Sequence, residues 1–377
     1  MNLLVLSAAY PSPTEPYRAR SLHLMMKRIS NAAQITVLTP LVFRSDPRCE
    51  TLDGIKIIRY PFAGTNARPK FGLNPAGIFS YNINAFIYSL KIVLKERPKL
   101  LYANWVIPFG LIASVVSKIF GIPYILHIHG IDFHKYANLP FALPWKFALK
   151  GARAVFSAGE FLKSECSNRF SCKVQNAGLM VDSGLIEHYK GISSLRPQLE
   201  IGEKEVVVLF CGDIAKSKGV DILYKAACWV TYHDPAFLFI FIGEGPFRRR
   251  VRETSRIRAL GPLAPDDALK YFACADVFVL PSWFEGLPPA LVEALAAEAI
   301  PVTTPVGDCR LLIKNGSTGF IIPCGDVDAL IRMLLLLRDD RLRGKMRNTI
   351  KEEKPQLSAF NAVLNWEKRM LEILSSL

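Results

Sequence analysis

The sequence predicts an α/β protein built of two Rossmann-like, doubly wound domains that face a central cleft. Three observations carry this expectation. At 377 residues the chain exceeds one ordinary domain, and two is the natural division. Short, uniformly apolar runs alternate with helical patterns along its whole length, as in parallel sheets covered on both faces. One polar, proline-containing stretch, KGISSLRPQLEIGEKE (190–205), interrupts that rhythm once.

Taken in order, LLVLSA opens as a buried strand, SLHLMMKRIS follows as a helix, and QITVLTP is the next strand. LLYANW, PYILHIHG and ARAVFSAG repeat the strand pattern. The uncharged run Leu100–Ser117 reaches the lower limit of a membrane span. Asn104, Pro108 and Gly110 divide it into strand, loop and helix, so a span is not expected. After the interruption, VVVLFCGD, FLFIFIGEG, DVFVLPS and IPVTTP are strands, separated by the helices KGVDILYKAACWV, DALKYFACA and PALVEALAAE. A helix-rich tail contains SAFNAVLNWEKRMLEIL. The expected division is a first domain over 1–190, a linker over 191–203, a second domain over 204–357, and a C-terminal helix (358–377) that packs back towards the first domain. Ligands of such folds bind at the carboxyl ends of the strands.

Composition removes several classes. Half the residues are apolar and 21% are charged, which excludes disorder. The eight cysteines are scattered without a C-x-x-C pair, so reduced cytosolic thiols are expected rather than a disulfide scaffold or a structural zinc site. The N-terminal apolar run lacks a basic leader, and a secretory signal is not expected. Residues 1–190 hold 23 Lys+Arg against 10 Asp+Glu, whereas residues 191–377 hold 24 against 23, so nearly all of the +14 net charge lies in the first half. No aromatic-basic RNA motif or recognition helix accompanies it. Nucleic acid is therefore not the expected partner; an anionic membrane surface or an acidic substrate is.

The chemistry concentrates in LPSWFEGLPPALVEALAAEAIPV (280–302). A strand ends at Pro281, a loop holds Glu285 and Gly286, and Pro288-Pro289 opens a helix, where a missing N–H is harmless. The remaining N–H groups of the first turn, with the helix dipole, suit a diphosphate. Glu285 and Glu293 would repel a phosphate, so they are expected to face hydroxyls of a sugar and a ribose. The plain alternative is a helix cap plus a solvated surface glutamate. No D-x-D pair or His/Asp cluster for a divalent ion is evident.

This E-x7-E spacing, followed by an alanine-rich helix and I-P-V, resembles the signature of the family 4 glycosyltransferases of the GT-B fold. CGDIAKSKGVDIL (211–223), FIGEGP (241–246), ALGPLAPDDALKYFACADVFVLPSWFEG (259–286) and VGDCRLLIKNGSTGFIIPCGD (306–326) are similar to that family's blocks, in the same order. So are YILHIHGIDFH (124–134), with its His-Gly-x-Asp pattern, and VQNAGLMVD (174–182). The resemblance implies a retaining, metal-independent hexosyltransferase whose first domain binds a carbohydrate or lipid-linked acceptor and whose second binds a nucleotide diphosphate sugar. Under it, Glu293 grips the ribose hydroxyls. Glu285 holds hydroxyls of the transferred sugar, with the N–H groups of Gly286 and Leu287 nearby. Lys218 neutralises the diphosphate leaving group beside Gly212. His129, reaching across the cleft, contacts the sugar near the anomeric centre, and Leu263 lies near the base. No cofactor beyond the donor is implied. The location implied is cytoplasmic, on the inner face of a membrane.

Four departures stand out. Asp213 occupies a position where the family often has arginine, and AAYPSPTEPYRARS replaces the usual glycine-rich loop after the first strand, with Arg18 or Arg20 as candidate cations. Glu298 and Asp308 stand where glycine is common. Asp213 and the missing glycine-rich loop leave a second reading open: a catalytically weakened subunit that supports a partner transferase. A dinucleotide oxidoreductase is disfavoured because no G-x-G-x-x-G opens a helix after a strand.

Overall fold

The computed structural model describes residues 1–64, 75–130, 133, 142–354 and 358–377. The chain forms two compact units, Met1–Met180 with Ala362–Leu377, and Val181–Asn361.

The first unit is an eight-stranded sheet: β1 (Asn2–Ser7), β2 (Gln34–Pro40), β3 (Cys49–Leu52), β4 (Ile55–Tyr60), β5 (Leu100–Asn104), β6 (Tyr124–Ile128), β7 (Ala154–Ser157) and β8 (Gln175–Asn176). Its helices are α1 (Arg20–Ile29), α2 (Pro75–Glu96), α3 (Leu111–Phe120), α4 (Ala142–Lys150) and α5 (Glu160–Phe170). The strand order is β3-β4-β2-β1-β5-β6-β7-β8, parallel except for the β3–β4 hairpin. That hairpin is missing from the sequence reading. Its turn is Asp53-Gly54, with φ of 50° and 77°, the two-residue turn whose twist matches the flanking strands.

The central strands β2, β1, β5, β6 and β7 are buried on both faces, so their residues alternate between two cores. Leu4 and Leu6 of β1 join α2–α5 through Tyr81, Val93, Val116, Trp145 and Leu162, while Leu3 and Val5 join α1 through Leu22, Met25 and Ile29. The run from Leu100 to Ser117 is β5, a single helical turn over Val106–Gly110, and the start of α3. Among the described residues, α2 alone is long and apolar enough to cross a membrane by length and composition, and a third of its most apolar stretch is buried.

The second unit is a six-stranded parallel sheet of β9 (Val206–Cys211), β10 (Phe237–Ile242), β11 (Ile257–Gly261), β12 (Val277–Leu280), β13 (Ile300–Thr303) and β14 (Phe320–Ile321), ordered β11-β10-β9-β12-β13-β14. Its helices are α6 (Ser183–Lys190), α7 (Leu195–Gln198), α8 (Val220–His233), α9 (Pro265–Cys274), α10 (Pro289–Ala296), α11 (Cys309–Leu312), α12 (Val327–Leu336) and α13 (Asp340–Glu353). The stretch 191–203 is part of this unit rather than an extended tether. It buries Leu195 and Ile201, and Arg196 donates to the buried Asp276 carboxylate at 2.7 Å.

The last helix, α14 (Ser358–Ser375), carries its apolar face back into the first unit, where Trp366, Met370, Ile373 and Leu374 pack with α1 against the sheet.

Candidate active site

In each sheet the first strand has neighbours on both sides, and the chain reverses its winding direction there. Such a switch point leaves a crevice outside the carboxyl ends of the two strands that flank it. In the second unit these strands are β9 and β12.

Lys218 and Glu285 meet at that point. Lys218 Nζ donates to Glu285 Oε1 at 2.7 Å, and Ser282 Oγ donates to the same oxygen at 2.8 Å. Glu285 is 9% exposed, so its charge is carried by these two donors rather than by water. Two glycines make the approach possible. A Cβ on Gly219 would lie 1.9 Å from the Pro281 carbonyl oxygen, so only glycine lets the Lys218 turn sit on the end of β12. A Cβ on Gly307 would lie 2.1 Å from the Gly286 carbonyl oxygen, and the Asp308 N–H donates to that same oxygen at 2.9 Å. The Trp283 N–H donates to the Ser217 carbonyl at 3.0 Å, tying the two loops together.

Pro288 precedes α10 and Pro289 opens it. Glu293 lies one turn in, half-buried. Burial, and after it the Glu293 charge, pushes the thiol of Cys211, the last residue of β9, well up. Burial, and after it the Glu285 charge, pushes the Cys309 thiol up to about 12. Among the described residues no carbonyl accepts from the N–H of Gly286 or Leu287. Leu263 is half-buried in the loop after β11, the edge strand two places from β9. Asp213, directly after Gly212, is exposed.

In the first unit the switch point lies between β1 and β5. Ser7 ends β1, Asn104 ends β5, and His129 follows β6. They form one directional chain: Ser7 Oγ donates to the Ala9 carbonyl at 2.7 Å, Asn104 Nδ2 to Ser7 Oγ at 3.1 Å, and His129 Nε2 to Asn104 Oδ1 at 2.7 Å. Asn104 therefore holds the proton on Nε2 of His129. The His129 ring stacks on that of His127 at 4.5 Å, and His127 Nδ1 is 2.7 Å from the Tyr102 hydroxyl. Burial lowers the His129 pKa to about 4, so the imidazole is neutral at neutral pH. Between Asn104 and the helical turn, Trp105 adopts φ 89°, an uncommon conformation for a large side chain, fastened by its N–H to the His127 carbonyl at 2.8 Å. Of the His-Gly-x-Asp segment, Asp132 lies outside the described residues.

Sequence reasoning did not single out Ser282 or Asn104 for this chemistry. The signal available was a lone polar residue at the end of each apolar strand, SWFEG after VFVLP and the asparagine in LLYAN.

Two doubly wound α/β units of this kind are the architecture of the GT-B fold. Two family models match the chain: "Glycosyl transferases group 1" over residues 205–340 and "Glycosyl transferase 4-like" over residues 25–158. The chain belongs to the family 4 glycosyltransferases of the GT-B fold. It is 25% identical over 330 residues to a putative teichuronic acid biosynthesis glycosyltransferase of Bacillus subtilis, covering 81% of this chain and 82% of that one. It is 21% identical over 317 residues to the UDP-Gal:alpha-D-GlcNAc-diphosphoundecaprenol alpha-1,3-galactosyltransferase of Escherichia coli, covering 76% and 78%. Sucrose-phosphate synthase from Thermosynechococcus elongatus shares the fold, with a TM-score of 0.80 at 17% identity over 100% of this chain and 99% of that one.

Proposed function

We propose that this glycosyltransferase moves a hexose from a nucleotide diphosphate donor to a lipid-linked or polysaccharide acceptor, with retention of anomeric configuration and without a divalent metal. The observation that carries the reading is the Lys218–Glu285–Ser282 cluster at the β9/β12 switch point, next to the N-terminus of α10. Donor recognition falls to the second unit. Glu293 accepts from two ribose hydroxyls, and Glu285 accepts from a hydroxyl of the transferred sugar while Lys218 holds its other side. The N–H groups of Gly286 and Leu287, with Gly212 opposite, receive the diphosphate, and Leu263 lines the base.

Lys218 has a second task. As the glycosidic bond breaks, negative charge grows on the leaving diphosphate, and a cation already held in place stabilises that charge without reorganising. His129 serves the transferred sugar as a neutral hydrogen-bonding group. The galactosyltransferase of Escherichia coli takes, by its name, a UDP-sugar and a diphosphoundecaprenol acceptor, which supports the same substrate classes here. A cytoplasmic site at the inner membrane face follows from such an acceptor.

A second reading, a catalytically weakened subunit, is favoured by Asp213, an exposed carboxylate at the carboxyl end of β9. Hydrolysis of a panel of nucleotide sugars, run with and without chelator, decides between the two. The proposal expects turnover of one donor, unchanged by chelation, and a roughly ten- to hundred-fold loss of nucleotide affinity in Glu293→Ala, since a hydrogen bond to a charged group contributes ~1.5–3 kcal/mol. No turnover of any donor supports the subunit reading, and unchanged nucleotide binding in the variant overturns the ribose assignment.

A further inference from the structure

The outer face of the first unit is apolar where a soluble helix is ordinarily polar. On α2, Gly77, Tyr81, Ala85 and Ser89 turn inward, and the opposite stripe, Phe79, Ile83, Ile87 and Leu94, is exposed at 71, 38, 37 and 66%. A helix that is apolar all round belongs inside a core or against lipid, and among the described residues none covers the outer side of this one. The same face continues across α3, where Ile119 is 59% exposed, to α4, where Leu143 and Phe147 are 72% and 42% exposed. A shallow groove joins α3 to α4, with Leu111 on one wall and Leu143, Pro144 and Phe147 on the other.

The charges on this face have one sign. α2, residues 106–120 and α4 contain five lysines, at 91, 95, 118, 146 and 150, and one carboxylate, Glu96 at the end of α2, which is taken up by Thr36 and Lys56 of the sheet. Lys118 Nζ sits 3.9 Å over the Phe147 ring, so cation and apolar surface are interleaved rather than segregated.

We propose that the α2–α3–α4 face docks on the surface of an anionic lipid bilayer. Exposed phenylalanine, leucine and isoleucine enter the boundary between headgroups and acyl chains, and the lysines pair with headgroup phosphates around them. Charge decides the occupant. A second copy of the chain, meeting this face through a two-fold axis, would set lysines against lysines with no carboxylate to answer them. The inference deepens the proposed acceptor class, because a docked first unit meets lipid-linked acceptors where they reside. It rests on the proposed function only for that purpose.

The full-length protein is sedimented with phosphatidylcholine vesicles and with phosphatidylcholine–phosphatidylglycerol vesicles. Binding is expected to the anionic vesicles and to weaken as salt rises. Lys91→Gln, Lys118→Gln or Lys146→Gln is expected to weaken it roughly five-fold per site. Phe79→Ser and Leu143→Ser should weaken it at high salt as well, while Lys225→Glu and Lys345→Glu, exposed on the second unit, leave it unchanged. All are surface positions, and unchanged melting temperatures confirm that each variant folds. Equal binding to both vesicle types, binding to neither, or equal losses from the second-unit controls would overturn the proposal. So would a dimer in solution that Phe79→Ser dissociates. Nucleotide affinity measured on the same variants separates this outcome from failure of the donor reading: the lysine variants should retain it, and Glu293→Ala should retain vesicle binding.

Discussion

At the scale of single residues, the Lys218–Glu285 pair ties stability to the proposed chemistry. Lys218→Ala removes the cation proposed to meet the leaving diphosphate, and it also leaves a largely buried carboxylate that accepts from Ser282 but has lost its cation. Turnover is expected to fall by roughly a hundred- to a thousand-fold, as when one preorganised electrostatic group is deleted. Nucleotide affinity should fall far less, because the leaving-group charge grows in the transition state. Equal losses in affinity and in kcat/KM, with kcat unchanged, would assign Lys218 to ground-state binding instead.

His129 makes a prediction in pH. Its folded pKa of about 4 lies below the ordinary histidine value near 6.5, so as pH falls from 6.5 towards 4 the unfolded chain takes up a proton that the folded chain refuses. The folded state therefore loses stability across that window, by at most about 3 kcal/mol from this group. If neutral His129 is the working form, the acid limb of kcat lies near 4 rather than near 6.5. Asn104→Asp places a carboxylate on Nε2, favours the imidazolium, and should move that limb towards neutrality. A limb that stays put would deny Asn104 its positioning role.

At the scale of elements, two departures from family habit acquire physical explanations. Glu298, directly beyond the C-terminus of α10, adopts φ 62°, a conformation that favours glycine. Its carboxylate accepts from Lys190 at 2.6 Å and lies 3.5 Å from Lys354, so contacts with α6 and the end of α13 offset the strain. Asp308, at 3% exposure, opens α11 and fastens the Glu285–Gly286 loop by its N–H, a backbone role that any residue with ordinary φ can fill.

Asp276 is the joint of the second unit. At the foot of β12 it accepts from Arg196, Arg347 and the Val207 N–H, and the largely buried Arg343 lies 3.9 Å away. One carboxylate thus binds α7 and α13 to the sheet. Asp276→Ala takes the shared carboxylate from these cations and leaves a buried N–H without its partner, and should destabilise the unit by about 3 kcal/mol. Chemical denaturation measures this, and a change under 1 kcal/mol would show that water replaces the carboxylate.

At the scale of the whole molecule, the C-terminal helix is part of the first unit's core. Trp366, Met370, Ile373 and Leu374 are each less than a tenth exposed, and Trp366 stands edge-on to Tyr102, whose hydroxyl meets His127 beneath His129. At ~1.5–3 kcal/mol per buried side chain, these four contribute roughly 6–12 kcal/mol. That is comparable with the whole stability of a domain, about 5–15 kcal/mol. Truncation after Asn361 should therefore unfold the first unit, detected as loss of its protected amides in hydrogen exchange, while the second unit's amides stay protected. Retained protection in both would mean that the sheet tolerates an open face.

The sequence alone specified the fold class, β9, β10, β12 and β13 with the helices α8 to α10, and the residue types at the β9/β12 crevice; β11 (IRALG) lies outside the strands read from it. The sequence could do so because a doubly buried strand is a continuous apolar run and a helix is a 3.6-residue pattern, both local signals. The β3–β4 hairpin was equally local, announced by Asp53-Gly54 between alternating residues, and was overlooked. Tertiary structure alone decided the rest. No spacing rule brings Lys218 onto Glu285, 67 positions away, or Asn104 onto His129, because those distances depend on which strands become neighbours. The sequence reading placed a linker at 191–203, but whether that stretch hangs free depends on whether Arg196 finds Asp276. The apolar residues of α2 are the clearest case. Their pattern is the same whether both sides are buried or one side is bare, and only packing shows which side the described residues leave exposed.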